Sequence, residues 1–172
     1  TNIGGLANFA YSWGTNKIAL KNIYNRVLEN QFTAREGFDD SGSGFFRTAD
    51  YLLQRSLIST QLSGNHQLSE NSKIKLDWNL NFANTDRKEP GFKRMEYQQE
   101  SGQGGYTRVS IPSSGQADPR LAGDFNSSLN ENLYGGAFDV TIPVKWIQDK
   151  NKIKLGYFGQ YRKRDFAARV LG

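Results

Sequence analysis

The chain has 172 residues, 37% hydrophobic and 13% aromatic, with 18 glycines, 4 prolines, no cysteine and a formal net charge of +5. That length fits one domain or a piece of one. The missing cysteines exclude disulfides, thiolate metal sites and thiol nucleophiles, and the single histidine, His66, cannot build a multi-histidine metal centre within this chain. No apolar run reaches the about 20 residues of a transmembrane helix, yet a β-barrel membrane protein survives that exclusion because its apolar residues come in alternation.

The chain opens on Thr1-Asn2-Ile3-Gly4-Gly5 and closes on Arg169-Val170-Leu171-Gly172, both in mid-segment, which reads as an internal stretch of a larger protein. Near the start, Ala7, Phe9, Tyr11 and Trp13 alternate with Asn8 and Ser12. A period of two predicts a strand with one apolar and one polar face. Over 17–32, Ile18, Leu20, Tyr24, Leu28 and Phe32 share a parity that Asn22 and Arg26 interrupt, so a bulge is expected there. Residues 49–68 offer two readings. Leu53 and Leu57 after Thr48 and Asp50 could start a helix, but Ile58, Thr60 and Leu62 before Gly64 favour a strand.

The clearest alternation runs from Lys73 to Asn84, where Ile74, Leu76, Trp78, Leu80 and Phe82 oppose Lys75, Asp77, Asn79 and Asn81. It recurs over 133–143, with Tyr134, Phe138, Val140 and Ile142 on one face. It recurs again over 152–164, with Ile153, Leu155, Tyr157 and Tyr161 opposite Lys154, Gln160, Arg162 and Arg164.

Six strands are therefore expected, joined by connections that alternate in length. Short turns are predicted at Gly14-Thr15-Asn16, Ser69-Glu70-Asn71-Ser72 and 146–151, and long loops over 33–47 and 84–128. In an up-and-down sheet this places tight turns on one rim and large loops on the other, as in outer-membrane barrels with short periplasmic turns and long extracellular loops. Trp13 and Trp146 fall beside tight turns, where an aromatic girdle would sit. Six strands cannot close a barrel, whose smallest bacterial form has about eight. The expected fold is thus an all-β transmembrane antiparallel up-and-down β-barrel, of which this chain supplies a section. Phe9, Tyr11, Ile74, Leu76, Trp78, Leu80, Phe82, Phe138, Val140, Ile142, Leu155 and Tyr157 are its expected lipid-facing residues.

The segments LSGNHQL leading into KLDW, TDRKEP beyond that strand, and RDFAARVLG carry a resemblance to a known family. With the stretches around them, they resemble the barrel of TonB-dependent outer-membrane receptors of the Bacteroidota type, those with a carboxypeptidase-like regulatory domain. The resemblance implies a barrel of about 22 strands with a plug domain in its lumen. It also implies coupling to a TonB complex through a segment outside this stretch, and allows a surface lipoprotein partner. Neither a plug sequence nor a TonB-binding box is present here.

Few constellations point to chemistry. Asp39-Asp40-Ser41-Gly42-Ser43-Gly44 offers oxygen ligands for Ca²⁺ but lacks the EF-hand pattern, and a surface loop is the simpler reading. Gly102-Gln103-Gly104-Gly105 follows no strand-to-helix transition and is no phosphate cradle. Arg87, Lys88, Glu89 and Arg94, with Lys93 and Glu96, are expected in an extracellular loop, where they either contact an anionic ligand or form solvated ion pairs. Tyr161 to Arg164 mix an aromatic with cations, which a lumen or rim position explains without nucleic acid. Asp77 and Asp139 sit on polar faces, and catalysis would require them to converge in a pocket.

The expected activity is active uptake of a bulky solute across the bacterial outer membrane, with no enzymatic step, metal or cofactor. One alternative is a receptor-like barrel serving as a structural subunit of an outer-membrane assembly. Another is a soluble β-rich carbohydrate-binding module, which requires two sheets closed over a core.

Overall fold

Alternation on this scale holds the backbone extended, and in a computed structural model that describes residues 1–68, 73–99, 105–109, 122–144 and 151–171 the chain is all-β. Six long strands run up and down, each antiparallel to the next, in one open sheet. They are β1 (Asn2–Trp13), β2 (Asn16–Phe38), β3 (Gly44–Gln67), β4 (Lys75–Gln99), β6 (Gly123–Val144) and β7 (Asn151–Leu171). A short β5 (Tyr106–Val109) pairs with Tyr97–Gln99 of β4, above the end of β6 on the same edge. The five longest strands have 21 to 25 residues, where an ordinary strand has about 5–6.

The segment 49–68 lies within β3 and is a strand, as its Ser/Thr/Ile pattern favours. The interruption at Asn22 makes no bulge, because β2 keeps unbroken register with both neighbours. Instead Asn22 is accommodated by side-chain bonding: Thr60 Oγ1 donates to its Oδ1 at 2.9 Å, and its Nδ2 donates to the Ala7 carbonyl at 3.3 Å. Register shifts fall elsewhere, between Asp50 and Gln54 on β3 and between Glu89 and Phe92 on β4. The second contains Gly91 at a φ of 73°, a left-handed conformation that glycine adopts without steric cost. The Gly91 amide, freed from the ladder, donates to Asn126 Oδ1 at 2.8 Å.

Both segments expected as long loops contain long stretches of strand. The 33–47 segment is mostly strand, and only residues 39–43 turn the chain between β2 and β3. Asp39 closes that turn: its Oδ1 accepts the amides of Ser41 and Ser43, each at 2.9 Å, while Gly42 takes a φ of 79°. The segment expected as loop from residue 84 is strand as far as Gln99, so Arg87, Lys88, Glu89 and Arg94 lie inside β4. Charges interspersed between both faces of a strand read as loop in sequence, yet β3 and β6 flank this segment and complete its backbone hydrogen bonds. The turn at 69–72, Trp146 and Gly102–Gly104 lie outside the described residues.

The sheet has almost no interior. Among the described apolar residues Leu53 alone is buried, at 1% exposure. The second sheet and shared core that a soluble two-sheet module requires are absent among the described residues.

Candidate functional site

Register converts the sequence alternation into two continuous faces. On one face, a transverse row carries Tyr11, Ile18, Gly64, Trp78, Phe138 and Tyr157. The next row carries Phe9, Leu20, Leu62 and Leu80 over Gly136 and Gly159. Below them come Leu76, Val140 and Leu155, then Ile142 beside Ile153; Ile74 precedes β4 and shares its parity. Every residue expected to face lipid thus lies on this one side. Leu80 is 55% exposed, Leu155 64% and Tyr157 67%, on a surface no other part of the described chain covers.

Aromatic rings tile the face. Tyr11 stacks on Trp13 at 5.5 Å, Trp13 meets His66 at 6.0 Å, and His66 lies parallel to Trp78 at 6.2 Å. A higher row joins Phe82 to Tyr134 at 5.1 Å and Tyr134 to Tyr161 at 6.4 Å. His66 is therefore part of the aromatic row, its Nδ1 3.1 Å from Asn16 Oδ1.

The apolar band crosses the strands obliquely. On β4, β6 and β7 it ends at Phe82, Tyr134 and Tyr161, above which stand Asn84, Asn132 and Lys163. On β3 the last position is Ile58, one row higher, on β1 it reaches Ile3, two rows higher, and on β2 it passes Tyr24 and, beyond Arg26, ends at exposed Leu28. Farther up β2, Phe32 and Phe38 are exposed outside the band. Several charges above the band have opposite neighbours: Asp86 with Lys88 at 3.6 Å, Lys163 with Asp165 at 3.7 Å, and Lys93 flanked in register by Asp50 and Asp124.

The opposite face is polar in its lower half, with Lys75, Asp77, Asn79 and Asn81 on β4. Asp77 and Asp139 do meet, as directly paired residues on β4 and β6. Each has its own partner: Asn65 Nδ2 donates to Asp77 at 2.6 Å, and Lys154 Nζ stands 3.2 Å from Asp139. They lie in an open ladder, so their meeting is a paired polar contact and not an acid–base pocket. Leu6, Phe158 and Phe166 also lie on this face and are exposed on the edge strands.

Higher on the polar face the bulge region carries a buried carboxylate. Glu89, 8% exposed, accepts from Ser127 Oγ at 2.7 Å and Tyr51 Oη at 3.1 Å, and pairs with Arg87. Burial pushes its carboxyl up, but the Ser127 and Tyr51 hydrogen bonds and the Arg87 charge outweigh that, so it titrates below its ordinary value. Above it, Arg47 donates to Glu96 at 2.6 Å and 3.4 Å, a forked pair over a carboxylate 5% exposed, while its guanidinium lies 4.0 Å from the Phe45 ring centre. Tyr51 and Phe92 meet edge to face at 5.6 Å. These residues, with Gln31, Thr33, Arg35 and Arg94, line a groove of about 450 Å³.

The residues singled out by sequence thus divide. Arg87, Glu89 and Arg94 stand on the polar face, whereas Lys88 is on the opposite one beside Asp86. Arg162 and Arg164 both reach Glu131, at 3.6 Å and 2.5 Å, while Lys163 points to the other face. The Asp39 carboxylate is occupied by the turn and held below its ordinary value by the Ser41 hydroxyl, the Ser43 amide and the remaining polar neighbours. Sequence reading missed Arg35 and Arg47, whose side of the sheet is hidden when 33–47 is taken as loop, and Tyr51, whose face within 49–68 is fixed only by register. No family model matches the chain, and neither the curated proteins nor the solved structures contain a match to it.

Proposed function

We propose that this sheet is a section of the wall of an outer-membrane transport barrel, with its apolar face in lipid and its polar face toward the lumen. The observation that carries the reading is the exposed apolar band that crosses all six strands without a core beneath it. An uncovered patch of this kind in water drives aggregation, whereas hydrocarbon accommodates it. A tilted strand crosses a bilayer in about 9–11 residues, so strands of 21 to 25 residues project well beyond it. The mixed charges above the band then stand in water on the cell exterior. Unpaired edges at β1 and β7 call for flanking strands to complete the wall.

Within that class, the resemblance of LSGNHQL, TDRKEP and RDFAARVLG favours a TonB-dependent receptor that takes up a bulky solute. Its plug would meet the polar face and its TonB-binding segment would lie outside this stretch. Lipid exposure is tested on the intact chain in vesicles containing brominated phospholipid. In a Trp13→Phe, Trp146→Phe background, fluorescence of Trp78 is expected to be quenched, and that of a Phe158→Trp variant that also carries Trp78→Phe to be spared. Equal quenching, or a chain that remains in solution without detergent, overturns the barrel reading. Coupling is tested by solute accumulation in cells: uptake that survives collapse of the inner-membrane proton gradient overturns the energised receptor, and membership of an assembly without uptake favours a structural subunit.

A further inference from the structure

We propose that a hollow at the upper border of the apolar band is a lipid-phosphate site, in which Arg26 and Lys88 hold the phosphate of an acylated lipid whose tails lie on the band below. The proposal rests on the reading of this face as the lipid side. The hollow, of about 230 Å³, is bordered by Tyr24 and Arg26 on β2, Gln54 and Ser56 on β3, and Asp86 and Lys88 on β4. Register fixes their order. Arg26, Ser56 and Asp86 form one transverse row, Gln54 and Lys88 belong to the row above, and Tyr24 and Ile58 to the row below. Arg55 also borders the hollow, from the opposite parity, where it pairs in register with Arg87.

The surroundings of Arg26 set it apart from the other cations on this side. Lys88, Lys93 and Lys163 each have an acidic neighbour, whereas Arg26 and Arg169 have none at ion-pair distance among the described residues. Arg169 stands well above Tyr161, where the band ends on β7. Arg26 is set into the edge of the band itself. Exposed Ile3 is its register partner on β1, and exposed Tyr24 and Leu28 flank it along the same face of β2. Only toward β3 and β4 does it meet polar groups.

An arginine in that place lays its stem on apolar surface and carries its charge to the water boundary. Lipid phosphates occupy that same layer, and a lipid brings the anion and the apolar tail together. The guanidinium fork matches phosphate oxygens, and a lysine adds a point charge. Lys88 stands 3.6 Å from Asp86, so two cations against one carboxylate leave the hollow net positive. Ser56 and Gln54 lie on the strand between Arg26 and Lys88 and supply hydroxyl and amide donors. The volume is below the about 300 Å³ at which whole small-molecule sites begin, so the hollow takes a headgroup and leaves the tails outside. From the Ile58 row the band continues downward through Phe82 and Leu80, where those tails would lie.

The test is equilibrium binding of radiolabelled lipid to the intact chain in nonionic detergent. The probes are dioctanoyl phosphatidic acid, dioctanoylglycerol with the same tails and no phosphate, and inorganic phosphate as competitor. The wild type is expected to bind phosphatidic acid at least tenfold more tightly than dioctanoylglycerol, and inorganic phosphate to compete only at far higher concentration. Arg26→Gln with Lys88→Gln is expected to erase that tenfold preference, the scale of losing charge-assisted hydrogen bonds. Arg26→Gln alone, at an exposed position, is expected to lower it severalfold, and Arg26→Lys to retain part of it. Arg169→Ala, which also removes a cation without an acidic partner, is expected to change nothing. Equal binding of the two lipids overturns the phosphate site, as does a wild-type preference in the double variant with an unchanged circular dichroism spectrum. Inorganic phosphate that displaces the lipid at equal concentration overturns the lipid as occupant. Selective binding by a chain that stays in solution without detergent overturns the barrel reading while leaving the phosphate site. A chain whose Trp78 is quenched by lipid but which binds both lipids alike does the reverse.

Discussion

Trp78 lays its indole over Gly64 of the neighbouring strand, filling the space that a side chain at position 64 would need. Gly64 is buried although it belongs to the exposed apolar face, because the ring covers it. The two residues act as one surface unit, a large ring spread over a residue with none, and the stack of Trp78 on His66 depends on that position.

Gly64→Ala is expected to lift the indole and lower stability by about 1–3 kcal/mol, the usual cost of overpacking. Gly64→Val should cost more. Denaturant unfolding in detergent gives the energy, and the Trp78 emission maximum, read in a Trp13→Phe, Trp146→Phe background, reports the displacement. An unchanged emission spectrum with unchanged stability contradicts the packing described.

The directly opposed Asp77 and Asp139 give a second prediction. Like charges in register repel, and Lys154 at 3.2 Å relieves the Asp139 side. Lys154→Ala should therefore destabilise the sheet by about 0.2–1 kcal/mol, the range for exposed pairs. Asp139→Asn in that background should restore most of the loss, whereas alone it should change little. A double-mutant cycle that shows additive effects denies the coupling.

How much of this was legible in sequence follows from which pattern each segment carries. Where one face is purely apolar, as at Leu76 to Phe82, parity identifies the strand and its outward face together. Beyond Phe82 both parities become polar, and the same sequence reads as loop although the ladder continues to Gln99. Thr33 to Phe38 was hidden for the same reason, which concealed Arg35 and its meeting with Arg47. The polar insertion at Asn22 was legible, but its remedy was not, since a hydrogen bond from Thr60 cannot be seen until register is known. The opposition of Asp77 and Asp139 likewise depends on register, to which sequence periodicity alone is blind.

Glu89 supplies a pH dependence. Its carboxyl titrates below the ordinary value of 4.5 in the folded sheet because Ser127, Tyr51 and Arg87 outweigh its burial. A depressed value means that its contribution is fully present above the unfolded-state pKa and lost as pH falls through the folded one. Glu89→Gln should cost about 1–3 kcal/mol at pH 7, since the donors around it lose a charged partner. The gap between variant and wild type should narrow as pH drops below about 4.5. Stability curves that stay parallel from pH 7 into that acid range contradict the assignment.

Adjacent residues on β4 provide the sharpest test of the two faces, because Leu80 and Asn79 differ by one position and point to opposite sides. Leu80 is 55% exposed among apolar rows, with Leu62 beside it and Gly136 on the other flank. If that surface meets hydrocarbon, Leu80→Arg places a guanidinium near mid-membrane and should cost about 2–4 kcal/mol of stability in lipid. Asn79→Arg should cost far less, since its row already carries Ser63 and opens toward water. In water the ranking should disappear, because replacing an exposed leucine by arginine removes apolar surface from solvent and carries little penalty. The comparison is therefore made twice, in lipid vesicles and in a denaturant series without bilayer. A large, lipid-dependent difference between the two variants assigns Leu80 to the membrane side, and equal effects in both settings refute it.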